Sequence, residues 1–168
     1  MTHVLYSKHM SGEDKLTLDL IKSLVENDKC HLLTRNPDQV NIYESFQKEI
    51  LTTWVSMNDY IKSRYLSAYE RINMDGKKYS VFPNHNSSYV IAYNRFPYYI
   101  EDNLKHMVLW ATEALSEKEV EEILASHFGK DKGNRYWFEQ PVEQKSIKGV
   151  WHVHIFVDAS SVDAKYLQ

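Results

Sequence analysis

The apolar pattern of this 168-residue chain changes period at Asp75-Gly76, and that change limits the fold more than any other feature. Before it, apolar residues recur at helical spacing. Residues 13–27 place Leu16, Leu20, Ile21, Leu24 and Val25 on one helical face. A second helix has a full start signal, with Asn36 as N-cap, Pro37 at the first helical position and Gln39 where a capping box needs it. Its expected buried stripe is Val40, Tyr43, Phe46, Ile50, Leu51 and Trp54. A third, shorter helix starts near Asn58 and carries Ile61, Tyr65 and Leu66.

After the Asp75-Gly76 turn dipeptide, four runs rich in β-branched and aromatic residues read as strands: 88–94, 104–111, 134–139 and 150–157. Between the second and third lies a helix opened by a Ser116/Glu119 capping box and stopped by Gly129. Three helices followed by a ββαββ unit predict an α+β fold with a mainly antiparallel sheet. We expect one domain over 1–168, with a helical part at about 13–70 and an α/β part at about 78–158.

Composition narrows the function classes. No run approaches the ~20 apolar residues of a membrane span, and the N-terminus has no signal-peptide pattern. The expectation is an intracellular, cytoplasmic protein without a membrane partner. Cys30 is the only cysteine, which excludes an intramolecular disulfide and a cysteine-based metal site. A net charge of −3 argues against a surface that coats nucleic acid, because that binding depends on neutralising many phosphates. A local basic pocket is compatible with it.

The chemistry concentrates on strand 150–157. Side chains alternate faces along a strand, so Trp151, Val153, Ile155 and Val157 form an apolar face and His152, His154 and Phe156 form the other. Two such imidazoles are about 7 Å apart along the backbone, close enough to share a metal ion, a phosphate or a water. His106 sits mid-strand in LKHMVLWA, on the face of Leu104, Val108 and Trp110. It completes a three-histidine cluster if its strand lies beside 150–157. Lys145 and Ser146, in the loop leading to the histidine strand, offer a cation and a hydroxyl of the kind that binds phosphate. Arg95, in a proline-fixed turn, is within reach of an anion or solvated.

Several motifs in order carry a family resemblance: LLTRNPDQVNIYESF, SMNDYIKSRYL, NRFPYY, KHMVLWATEALS and YWFEQPVEQKSIKGVWHVHIFVD. Over roughly residues 24–160 the chain resembles a fungal family of unknown function that includes the N-acetylglucosamine-induced proteins, with relatives in large DNA viruses. Carried over by position, the family's features fall on Asn94, Pro97, Tyr98, His106, Trp110, Trp137, Lys145, Ser146, His152 and His154. Arg95 stands where the family has Asp, and Trp151 where it has Glu. If that Glu orients a histidine in relatives, a site here lacks its support.

The family names no reaction, so three readings stay open. In the first, His154, His152 and His106 are catalytic and Lys145, Ser146, Arg95 and Tyr98 hold a small phosphorylated ligand or nucleotide. This is similar to the histidine-triad proteins, with His154 as nucleophile, although Phe156 stands in place of the third histidine. In the second, the histidines are structural in a non-enzymatic regulatory or ligand-binding module. In the third, His152, His154 and His106 hold a divalent metal as in the rolling-circle nucleases, but the downstream tyrosine, Tyr166, lacks the lysine expected three residues on. Weak or no metal binding is expected, because Asp158 is the sole nearby carboxylate and lies at the strand end. His85-Asn86-Ser87 is a lone match to the paired H-x-[ST] phosphodiesterases. The sequence leaves the cofactor open.

Overall fold

A computed structural model describes residues 14–82, 87–163 and 166. His85 and Asn86 of the phosphodiesterase match lie outside the described residues. The helical half comprises α1 (Leu18–Glu26), α2 (Pro37–Thr53) and α3 (Met57–Leu66). Strands follow as β1 (Tyr69–Ile72), β2 (Lys78–Val81), β3 (Tyr89–Tyr93) and β4 (Leu104–Ala111). Helix α4 (Glu117–Phe128), β5 (Arg135–Phe138) and β6 (Trp151–Asp158) complete the chain. This is the α+β order of helices and then strands, with antiparallel sheets.

Local chemistry sets the helix starts. Asn36 Oδ1 accepts the Gln39 N–H at 2.8 Å, with Pro37 in the first turn. Ser116 and Glu119 cap each other's backbone as a capping box. Two details differ from expectation. Leu16 is not helical, because it pairs with Ile100 in a parallel bridge, and α1 starts after the Thr17 N-cap. The β1–β2 hairpin also went unread, since its short strands YERI and KYSV carry too many polar residues to show a strand pattern.

The main sheet has the order β3-β4-β6-β5, so the histidine strand β6 is an inner strand. Its two faces are covered differently. On one, Val153, Ile155 and Val157 join Met107, Leu109 and Ile91 against Val120, Leu124 and Phe128 of α4 in one continuous core. On the other, the core is split. Leu104, Phe138 and Phe156 pack with Ile21 and Leu24 of α1, whereas Val108 and Trp110 pack with Ile61 and Leu66 of α3.

Helix α2 does not close the gap. It has no buried residue, and Val40, Ile42 and Leu51 are 37%, 51% and 40% exposed. The expected apolar stripe therefore does not make α2 a core helix. Phe46 meets Phe96 and Tyr60, Tyr43 meets Phe96, and only Trp54, at the C-cap, is buried. No helix among the described residues is long and apolar enough to cross a membrane.

Candidate functional site

Between the two half-cores lies a cavity of roughly 280 Å³, at the lower end of small-ligand pockets. His152 and His154 line it, with Tyr98, Arg95, Lys145 and Ser146. His106 joins them from beneath. The antiparallel register sets Val108 opposite His154 and Phe156 opposite His106, so His106 is diagonal to His154 on the same face. Its Nε2 lies 2.8 Å from His154 Nδ1.

The protons on these rings follow from fixed donors and acceptors, since hydrogens are assigned from the network. The Tyr98 backbone N–H donates to His106 Nδ1 at 3.1 Å, so that nitrogen carries a lone pair. A neutral imidazole has one N–H, which places the His106 proton on Nε2, where it donates to His154 Nδ1. His154 must then carry its own proton on Nε2. Asn94 Nδ2, 3.3 Å from His106 Nε2, therefore meets an N–H and makes no hydrogen bond there. Asn94 instead turns the chain, its Oδ1 accepting the Phe96 N–H at 2.9 Å.

His152 is wired in the opposite sense. Its Nδ1 lies 2.9 Å from the Val150 carbonyl, an obligate acceptor, so Nδ1 carries the proton and Nε2 keeps a lone pair. The two ring centroids are 5.6 Å apart. The pair thus presents an N–H from His154 beside a lone pair from His152.

Both rings stay neutral. Burial pushes His154 down to about 3, and neighbouring His152, Arg35 and Lys145 push the same way. Burial, then His154 and Arg35, hold His106 well below the ordinary imidazole value. His152 is lowered chiefly by burial, against the upward pull of its bond to Val150. Packing fixes the ring planes. Tyr98 and Phe138 stack on His154 at 5.5 Å each, and Trp110 lies 4.5 Å from His152.

Tyr98 is buried, and burial pushes its hydroxyl up to about 12, so it stays protonated. The Lys145 side chain, 7% exposed, pairs with Glu139 at 2.6 Å. Arg95 lies over the Phe46 ring at 4.5 Å. Ser146 is exposed at the mouth. The cavity therefore gathers His152, His154, Tyr98, Arg95, Lys145 and Ser146, with His106 immediately behind.

Other carried-over positions lie elsewhere. Trp137 donates to Glu121 at 2.7 Å on the α4 face. Trp151 packs on that face too, so a residue at 151 points away from the histidines. Their support comes from Tyr98, His106 and Val150, and the side chain at 151 takes no part in it. Tyr166 also packs on the α4 face, bonded to His127. It is across the sheet from the histidine pair, where no nuclease tyrosine can serve it. Asp158 caps Ser160 beyond the strand. Among the described residues, no group of three or more His, Cys, Asp or Glu is arranged to hold a metal ion. His106, the third histidine, has both ring nitrogens occupied within the protein, Nδ1 by the Tyr98 N–H and Nε2 by His154.

Sequence reasoning missed Arg35, Gln140 and Gln144. The Arg35 guanidinium donates through Nε to the Phe96 carbonyl at 2.7 Å and faces the Tyr43 and Tyr98 rings at 4.6 and 5.6 Å. It precedes the Asn36 N-cap, and no local spacing marks it. Gln140 and Gln144 follow the β5 strand in the same loop as Lys145 and Ser146, where the expected anion contacts fell on the cation and the hydroxyl alone. Each has a buried Oε1 without a hydrogen-bond partner, and both line the cavity.

Known proteins place the chain in a fungal context. It is 26% identical to N-acetylglucosamine-induced protein 1 of Candida albicans, with 96% of this chain and 74% of that protein covered. It is 22% identical to an uncharacterised protein of Saccharomyces cerevisiae, covering 94% and 86%. These relatives bear on the fungal part of the resemblance alone. The solved crystal structure of HTC1 superposes with a TM-score of 0.61 at 18% identity, over 89% of both chains, which shows a shared fold. The family model of proteins of unknown function termed DUF3605 matches residues 17–158. By that match, which takes in both half-cores and the whole histidine strand, the chain belongs to the DUF3605 family.

Proposed function

We propose that this cavity binds a small phosphorylated ligand of the nucleotide class. The observation that carries the reading is the charge of the lining. Arg35, Arg95 and Lys145 line the cavity and no carboxylate among the described residues does, Lys145 being paired with Glu139 outside the lining, in a chain whose net charge is −3. Neither arginine meets a carboxylate among the described residues, so both keep donors for an anion. Aromatic walls from Tyr43, Phe46, Tyr65 and Trp110 offer flat faces to a ring.

Cleavage of a bound phosphoester would fall to His152. Its Nε2 lone pair is the available base, whereas His154 presents an N–H and cannot attack phosphorus without changing tautomer. Binding without turnover is the second reading. It is favoured by the lining, in which no described residue is a carboxylate that could orient a water or hold a metal.

Thermal-shift measurements test the binding. The probes are inorganic phosphate, nucleoside monophosphates and N-acetylglucosamine 6-phosphate, each organic phosphate beside its unphosphorylated parent. The amino-sugar phosphate belongs there because one relative is named for induction by N-acetylglucosamine. A phosphorylated probe at 100 times its Kd adds about 2.7 kcal/mol of stability. The expected result is a rise in Tm that the parents do not match and that Arg35→Ala with Lys145→Ala removes. Equal behaviour of charged and uncharged probes would count against the proposal.

A further inference from the structure

We infer that the ligand enters ring-first, its heterocycle read at the cavity floor by His152, His154 and Gln140 and its phosphate held at the mouth. This rests on the anion-binding reading above, in its form without turnover, and assigns which part of the ligand goes where: a phosphate held at the mouth lies away from the His152 lone pair.

The case rests on where neutral and charged groups sit by depth. His152, His154, Tyr98 and Gln140 are buried. All four are uncharged, since both imidazoles and the phenol are held neutral by burial. Arg95 and Ser146 are exposed and Arg35 is at intermediate depth, while the Lys145 side chain, though buried, is already paired with Glu139 at 2.6 Å. A phosphate dianion on the floor would face the His152 lone pair and lose its water, and the one buried cation near it, Lys145, is already held by Glu139. Such burial is strongly unfavourable. At the mouth the same dianion meets guanidinium and hydroxyl donors while still touching solvent.

The floor has its own unmet demand. The Gln140 carboxamide reaches the Tyr98 hydroxyl through Nε2 at 3.5 Å, while its Oε1 is buried without a partner. A carboxamide turns to offer either end, so the unmet valence persists whichever way it faces. The same cavity is lined by the His154 N–H and the His152 lone pair, each held in one sense by its second nitrogen. A neighbouring donor and acceptor match an amide or amidine edge, as nucleobases carry. Stacking against Trp110 and Tyr65, themselves parallel at 5.7 Å, suits the same flat ring.

The test titrates the wild-type protein with AMP, GMP, CMP and UMP, and with ribose 5-phosphate and inorganic phosphate as tails without a base. A site built around a ring's hydrogen-bonding edge discriminates strongly against the wrong edge. At least one nucleotide should bind about tenfold or more tighter than ribose 5-phosphate, and the four should differ among themselves by a similar factor. Arg95→Ala should weaken all four alike, and Gln140→Leu should narrow their spread. If a variant fails to fold, the wild-type comparison still decides. Ribose 5-phosphate or inorganic phosphate binding as tightly as the nucleotides would overturn the ring-first orientation while leaving the anion reading intact. Equal affinity for all four bases would overturn it too. Failure of every phosphorylated probe to bind would overturn both.

Discussion

Strand β6 separates two differently built halves of the molecule. Toward α4, Val153, Ile155 and Val157 enter one dry core with Val120, Leu124 and Phe128. Toward the N-terminal helices, Phe156 belongs to one half-core, Val108 and Trp110 belong to another, and the histidines stand between. The first face is closed by a single helix with a complete apolar side. The second is met at its ends by α1 and α3, and its remaining neighbour α2 buries nothing. A cavity here is thus a consequence of helix placement. Three imidazoles occupy the boundary because they satisfy one another and the backbone without charge.

The largest expected contrast between the faces is their response to acid. His106 and His154 have folded values far below the unfolded ~6.5. The unfolded chain therefore binds protons that the folded chain refuses. Stability contributed by these rings is fully present above about pH 6.5 and is lost as pH falls from there toward about 3 for His154. Near pH 5, unfolding should take up about two protons on their account, each worth up to about 1.4 kcal/mol per pH unit. Urea unfolding at pH 7, 6 and 5 measures the slope. A flat profile would mean that the histidine face is not buried and neutral.

Next in size is a cavity cut into the continuous face. Leu124→Ala should cost ~2–5 kcal/mol, against less than ~0.5 kcal/mol for Val40→Ala on α2. Comparable losses in chemical denaturation would break the distinction between the two faces. A smaller effect is expected for His154→Ala, at ~1–3 kcal/mol, because the His106 N–H loses its acceptor inside the protein. A stable variant that has lost phosphate-ligand binding would instead mark the ring as purely functional. Smallest of all, Arg95→Ala should change stability by less than ~0.5 kcal/mol while weakening anion binding in the thermal-shift assay.

How much of this was legible in sequence follows from the range of each interaction. The alternation of VWHVHIFV placed His152 and His154 on one face because a strand's period is local. His106 could be set on the matching face of its own strand, but adjacency depended on β4 pairing with β6. The helix pattern of α2 was real, yet local periodicity does not say how much partner surface is present, and here Phe96 and Tyr60 meet Tyr43 and Phe46 without burying any residue of the helix. Arg35 lies 61 residues from the Phe96 carbonyl it holds, so nothing near it in the chain marked it. The proton arrangement was out of reach for a similar reason. It is imposed by the Tyr98 N–H and the Val150 carbonyl, backbone groups whose direction no residue type encodes.

The central claim is that the histidine pair is a neutral donor beside a neutral acceptor, wired in opposite senses. Nitrogen-15 NMR of the histidine rings at pH 7 tests it directly, because protonated and lone-pair ring nitrogens resonate far apart. The account predicts a protonated Nε2 and bare Nδ1 for His154, and a protonated Nδ1 and bare Nε2 for His152. The same tautomer in both rings, or an imidazolium signal from either, would contradict it.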